Sequence, residues 1–524
     1  MNRVTLPASR AKLAALLLGA LAVIAIASCT RPAEQDTRSG PASTSAPVTA
    51  TVTPGLSGAE KTRISGDIGE QPTAQATVTP ATSIAREATP TVVPTIEPTL
   101  APAPTPTPVP GPTPTPPPPP QRAIATGPVN RIAFADGLGS IFTVNPDGSG
   151  LVTIASGTTA GGELLYTFPV WSPDGGSLAF SSIFVVGGAV TRSAYHRADA
   201  DGSGGVITLA FDNSTGRGVG PGIPHFSSWS PDGNRIALTT SGEFGIGTMV
   251  LGSYSGQSPQ AIALGAPLYV NWAPDGTALL VHQLVGLHMI AVTDLGAGLP
   301  TLIGTGSMSY FSPSWAPDSG SFAHVEFVDG TNSVVLTQKG DTNDQVVITE
   351  ADIRVGLGWS PDGKRLAISK SSGNAFETLS VFSTDDGLLQ TIFGGEIRAF
   401  WWSPDSTRLA IVEDSPVIEF AHVWSVIDVE SGEVTPLVTQ FASDDFFFVQ
   451  TFFDQYVESH SIWAPDSSRI VIAGAILDLS EVVRPGGEPR PPQGFDSQIW
   501  VVDAAGVDDP VSVGTGTIAS WSPR

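Results

Sequence analysis

A single cysteine, Cys29, stands among 524 residues, so the chain can build neither an internal disulfide nor a thiolate metal cluster. Packing alone must hold whatever folds. Basic residues are also scarce, 25 against 49 acidic ones, for a formal net charge of −24. That balance argues against nucleic acid or an anionic lipid surface as the main partner and leaves solubility, or recognition of cations, as its use. No Gly-x-Ser-x-Gly elbow occurs, and the seven histidines stand singly without His-Glu-x-x-His spacing, which speaks against elbow-type and zinc hydrolysis. No cofactor and no metal are expected.

Long apolar runs are missing too, apart from Leu13 to Ala27. Arg3, Arg10 and Lys12 precede that run, giving the charged start and short apolar stretch of a secretory signal rather than a membrane span. It ends in Ile26-Ala27-Ser28-Cys29, which resembles the bacterial lipobox. The resemblance implies a signal peptide over 1–28 and a diacylglyceryl group on Cys29, holding the protein to a bacterial membrane and facing outward in the cell envelope. The alternative is a signal peptide with an incidental cysteine.

From Cys29 to about residue 129 the chain is Thr, Ala, Pro and Ser with few aromatics, ending in the Pro-rich run Ala101 to Pro120. Such a composition cannot bury enough apolar surface to fold. Polyproline II advances about 3.1 Å per residue, so the stretch reads as a spacer on the order of 100 Å or more long. The alternative is a ligand for an aromatic groove on another protein.

What the chain has in abundance is glycine, 57 residues, and proline, 46, which with 41% hydrophobic residues predicts short strands and turns around a sizeable core. From residue 130 one signature recurs: Trp171-Ser-Pro-Asp-Gly175, Trp229-Ser-Pro-Asp-Gly233, Trp272-Ala-Pro-Asp-Gly276, Trp315-Ala-Pro-Asp-Ser319, Trp359-Ser-Pro-Asp-Gly363, Trp402-Ser-Pro-Asp-Ser406, Trp463-Ala-Pro-Asp-Ser467, and a truncated Trp521-Ser-Pro523. The tryptophans are 58, 43, 43, 44, 43, 61 and 58 residues apart. A period in the forties with alternating strands, such as Arg365-Leu-Ala-Ile368 and Arg408-Leu-Ala-Ile411, predicts one four-stranded propeller blade per repeat. Pro and Asp at the centre of a type I turn make the tight hairpin, and the tryptophan before it can fill the wedge between blades.

These repeats resemble the WD40-like (PD40) propeller repeats of the Tol-Pal protein TolB and of prolyl oligopeptidase-type peptidases. The resemblance spans 130–524 and implies an all-β propeller, and the eight Trp motifs, the truncated last one included, predict an eight-bladed β-propeller of four-stranded blades. The first repeat lacks its Trp half and the last stops after it, so the two halves predict a three-plus-one closure. The peptidases' α/β-hydrolase half is not expected, and the N-terminal domain of TolB is replaced by the tether. Some propellers of this type are metal-dependent polysaccharide lyases with channel histidines, which makes His225 and His460 the residues of interest for an alternative: an envelope enzyme, lyase or hydrolase, acting on carbohydrate at the channel mouth.

The tight Trp-motif turns fall on one propeller face, and the excess loop length falls on the other: 156–167, 182–189, 212–227, 441–461 and 477–496. Long connections on a rigid scaffold are where binding usually resides. Asp444-Asp445-Phe446-Phe447-Phe448, continuing to Tyr456, is expected either as an exposed recognition patch or as a loop covering a blade edge with a small core of its own. Just before the tryptophans stand His225, Tyr269, Tyr310, Arg354, Arg398 and His460, polar candidates for a central funnel. The expected function is a lipid-anchored binding or scaffolding module for a protein, peptide or glycan. Asp199-Ala-Asp-Gly-Ser-Gly204 reads as a polar hairpin rather than a calcium loop, since it lacks the later glutamate.

Overall fold

The computed structural model describes residues 130–212, 224–242, 245–253, 259–264, 268–283, 286–292, 295, 301–304, 307, 309–371, 373, 375–478 and 496–524. The signal segment, Cys29 and the tether lie outside these residues, as do 213–223 and 479–495 of two expected insertions.

Each of the seven full Trp motifs forms the turn the sequence predicts. In the first, Gly175 N–H donates to the Ser172 carbonyl at 2.8 Å, the Ser172 hydroxyl donates to Asp174 at 2.5 Å, and Gly175 sits at φ 69°, where glycine carries no strain. Strands flank the turn on both sides. In the Trp359 repeat, Arg354–Trp359, Arg365–Ser371, Thr378–Ser383 and Leu389–Phe393 pair consecutively and antiparallel, and the second and third strands are buried through their middles. Described residues form six such four-stranded sheets and one of seven strands. Successive four-stranded sheets of this kind, with neighbouring innermost strands in contact, are the architecture of a β-propeller.

The final strand, Ile518–Trp521, is the fourth member of the first sheet, antiparallel to Ile132–Ala135 with Ile132 opposite Trp521. Arg131 N–H also donates to the Ser522 hydroxyl at 3.0 Å, and Ser522 N–H to the Arg131 carbonyl at 2.8 Å.

The tryptophans do more than fill wedges. Six indole Nε1 atoms reach the carbonyl of the residue that precedes the tryptophan of the neighbouring repeat: Trp171 to Ser520, Trp229 to Val170, Trp272 to Ser228, Trp359 to Ser314, Trp402 to Gly358 and Trp463 to Trp401, at 2.8–3.2 Å. Trp521 instead donates to the Asn130 side chain at 2.7 Å. Trp315 breaks the series, its Nε1 buried without an acceptor.

Where the motif ends in serine rather than glycine, the serine adopts positive φ and its hydroxyl joins two repeats. Ser319, Ser406 and Ser467, at φ 61°, 64° and 61°, accept from the backbone N–H of Asp275, Asp362 and Asp405, the motif aspartates of the preceding repeat.

One feature departs from the expected separate blades. The outer strand of the Trp402 repeat, Val434–Ala442, pairs through Gln440, Phe441 and Ala442 with Ile476, Ala475 and Gly474 of the next repeat, which yields the seven-stranded sheet. Gly474, at φ 147°, permits it, because a Cβ there would collide with the Phe441 carbonyl oxygen. The inner edge of the Trp463 repeat is correspondingly reduced to a single bridge, Trp463 to Ile470.

Candidate functional site at the channel mouth

The insertion between Ala442 and Trp463 folds as two short helices, α1 (Asp444–Thr451) and α2 (Phe453–Tyr456). The Ser443 hydroxyl accepts from Phe446 N–H at 3.2 Å and caps α1, and Asp444 and Asp445 in its first turn complement the positive end of the helix dipole. Packing does the rest. Phe446 lies parallel to Trp424 with centroids 5.9 Å apart, and Phe453 packs against Phe400 at 4.8 Å, Phe376 at 5.3 Å and Trp401 at 6.2 Å. Phe448 and Tyr456 meet Phe168 at 6.2 and 6.1 Å, and Tyr456 meets Phe226 at 5.3 Å.

The helices therefore touch inner strands from sheets widely separated in sequence: they cover the mouth of the channel. Gly356 makes room for them, since a Cβ there would lie 2.5 Å from the Phe453 ring. Polar contacts fix the same position. Thr517 Oγ1 donates to Asp445 Oδ2 at 2.6 Å, the Ser443 hydroxyl donates to the Thr517 carbonyl, and Arg354 donates to the Thr451 carbonyl, 3.8 Å from Asp454 and over the Phe376 ring.

This geometry corrects the expectation of an exposed aromatic patch. Phe446, Phe448 and Tyr456 are buried; only Asp444 and Phe447, the latter 37% exposed, face outward. A loop with a small core of its own is not the outcome either, because these rings pack into the propeller itself. Phe447 lies over His422 at 5.7 Å and under the Arg398 guanidinium at 5.3 Å, and Arg398 is paired with Asp414.

The other candidates lie beneath or beside the insertion. Tyr269 is buried and stacks on His282 at 5.9 Å; His460 is buried, with its Nδ1 2.9 Å from the Ser459 hydroxyl and its ring against Phe168 and Tyr456. Tyr310 is half-buried and holds the Ile353–Val355 backbone through its own N–H and carbonyl. His225 belongs to the strand Pro224–Trp229, its side chain outside the described residues. Among the described residues no three His, Cys, Asp or Glu side chains converge to hold a metal.

Burial dominates the electrostatics here. It pushes the Asp445 carboxyl up to about 6, raises Asp454 despite the neighbouring Arg354, raises the hydroxyls of Tyr269 and Tyr456, and pushes His460 down to about 3. The mouth thus favours neutral forms, as a packed core does.

Residues outside the expected set complete the site. Phe168 and Phe226 each stand three residues before a motif tryptophan, as the expected Tyr269 does, and that spacing was the available signal. Phe420, on the connection 415–421, is 73% exposed at φ 64°, and no pattern in the sequence marks it.

Fold and repeat together define the chain as a β-propeller whose Trp-motif repeats are similar to those of the PD40, TolB-like type. No protein-family model matches the chain, and no curated protein does. Among solved structures it is similar to a putative TolB from Agrobacterium tumefaciens, at 18% identity over 45% of this chain and 85% of that one with a TM-score of 0.32. It is similar also to TolB from Acinetobacter baumannii, at 14% over 64% and 79% with a TM-score of 0.34, and to an oligogalacturonate lyase in complex with manganese, at 14% over 55% and 76% with a TM-score of 0.38.

Proposed function

We propose that the chain is a non-catalytic binding or scaffolding propeller of the bacterial cell envelope, held to the membrane by a lipid on Cys29 and spaced from it by the Pro/Thr-rich tether. In this reading it has eight blades, the Trp402 and Trp463 repeats being two of them, and the Ile518–Trp521 strand completes the first blade in a three-plus-one closure. Its partner is a protein, peptide or glycan met by the insertion-bearing face.

One observation carries the reading: the channel mouth is covered by the chain's own aromatic insertion, while Phe447 and Phe420 stay exposed on connections of that same face. Phe453 packs against Phe376, Phe400 and Trp401, and Tyr269 is buried, which disfavours a carbohydrate enzyme working at that mouth. Exposed aromatics on a rigid scaffold suit recognition of a larger surface.

The test is capture from solubilised envelope by the full chain, compared with a variant carrying Phe420→Ser and Phe447→Ser. Both positions are exposed, so folding is retained. A partner held by the wild type and lost by the variant supports the reading. A partner held equally by both, or glycan turnover by the purified protein, overturns it.

A further inference from the structure

The insertion covers one end of the channel but does not fill the other. Beside the Trp-motif turns a recess of about 270 Å³ remains, walled by Trp171, Trp229 and Trp521 together with Pro173 and Pro523 of two motifs. Its polar lining comes from Ser228 and from the end of the insertion: Glu458, Ser459 and Ser461. The Asn271 amide stands beside the Glu458 carboxylate and favours its ionised form, whereas enclosure by protein acts more strongly and raises the carboxyl from its usual range.

We infer that this recess binds a primary alkylammonium group, presented by a small amine or by a lysine side chain. The chemistry follows from its walls. Glu458 lines the recess and is exposed to solvent, and no lysine or arginine among the described residues forms an ion pair with it. An ammonium carries three donors, which the carboxylate and the hydroxyls of Ser228 and Ser461 can accept, and the indole and proline walls suit its aliphatic stem and its charge. The net charge of −24 draws cations toward such a site and repels anions from it. Its lining includes neither Phe420 nor Phe447, so this inference stands whether or not those two residues bind a partner.

Calorimetric titration of the full chain with n-pentylammonium chloride and with Nα-acetyl-lysine N-methylamide tests it, the blocked norleucine serving as the uncharged control. Saturable binding of the amines and none of norleucine is expected, with affinity falling at least about tenfold in Glu458→Gln, because a charge-assisted hydrogen bond is lost. Ser228→Leu, which fills the recess and leaves the carboxylate in place, is expected to abolish binding. Pentylammonium bound with the blocked lysine excluded assigns a free amine; both bound assigns a lysine side chain. No saturable binding up to about 10 mM, or binding unchanged in both variants, overturns the inference.

Discussion

The indole of Trp171 donates its hydrogen bond to the carbonyl of Ser520, 349 residues away in sequence, at 3.2 Å. The same contact recurs from repeat to repeat and is missing at Trp315. Trp171→Phe is expected to lower stability by about 1–2 kcal/mol, the loss of a buried hydrogen bond and part of a ring. Trp315→Phe leaves no acceptor orphaned and should cost less than Trp171→Phe. Urea denaturation of the two variants makes the comparison, and equal losses would show that the hydrogen bond adds nothing to the packing.

At Ser467 the two conservative substitutions should differ in an unusual order. Ser467→Ala keeps the positive φ, now without compensation, and removes the acceptor of the Asp405 N–H; Ser467→Gly removes the same acceptor but relaxes the backbone. Alanine is therefore expected to be worse than glycine by about 1 kcal/mol. Thermal melts of the pair decide it.

Within the insertion, neighbouring phenylalanines carry different loads. Phe453 is fully buried against three rings, so Phe453→Ala should cost about 3–5 kcal/mol, whereas Phe447→Ala should cost under about 1 kcal/mol. A variant series in which Phe453→Ala proved neutral would mean that the insertion does not stay seated over the channel.

Acid should weaken the fold well before the carboxylates protonate. Burial pushes His196, His282 and His422 down to about 4, and His324 and His460 down to about 3. The unfolded chain takes up these protons near pH 6.5 while the folded one refuses them, so stability is full above about pH 6.5 and falls as pH drops toward 4. Asp445 acts in the opposite sense: held up at about 6, it burdens the fold above that pH and ceases to do so as pH falls toward its unfolded value. Asp445→Asn should therefore be more stable than wild type at pH 7.5 and lose that advantage by about pH 4. Melting temperatures measured from pH 8 to 4 carry both signs.

Cys29→Ser should move the protein from the membrane fraction to the soluble fraction of lysed cells. Retention in the membrane after that substitution would remove the anchor from the proposed function.

The repeat was legible because turn chemistry is local: Pro and Asp set the hairpin, and a tryptophan at a regular step reports the blade. The insertion was not. Asp444 to Phe448 has neither a two-residue nor a helical alternation, so the run left open whether its aromatic surface is exposed or hidden, and nothing in it pointed to Phe168, Phe226, Phe376 and Phe400 of other repeats as the residues the insertion packs against. The serine at the end of three motifs was likewise read as a turn residue. Its bonded partner stands 44 or 62 residues upstream, beyond any local pattern.

Repeat folds are commonly reshaped by gaining, losing or exchanging whole modules, since each module meets only its neighbours through side chains. The pairing of Gln440, Phe441 and Ala442 with Ile476, Ala475 and Gly474 suspends that freedom for the Trp402 and Trp463 repeats. They share a row of backbone hydrogen bonds, so neither can be excised or swapped as a cassette without leaving the other with an open edge. The channel-covering helices sprout from between them, and the two repeats are thereby bound to be inherited, engineered or transplanted as one piece.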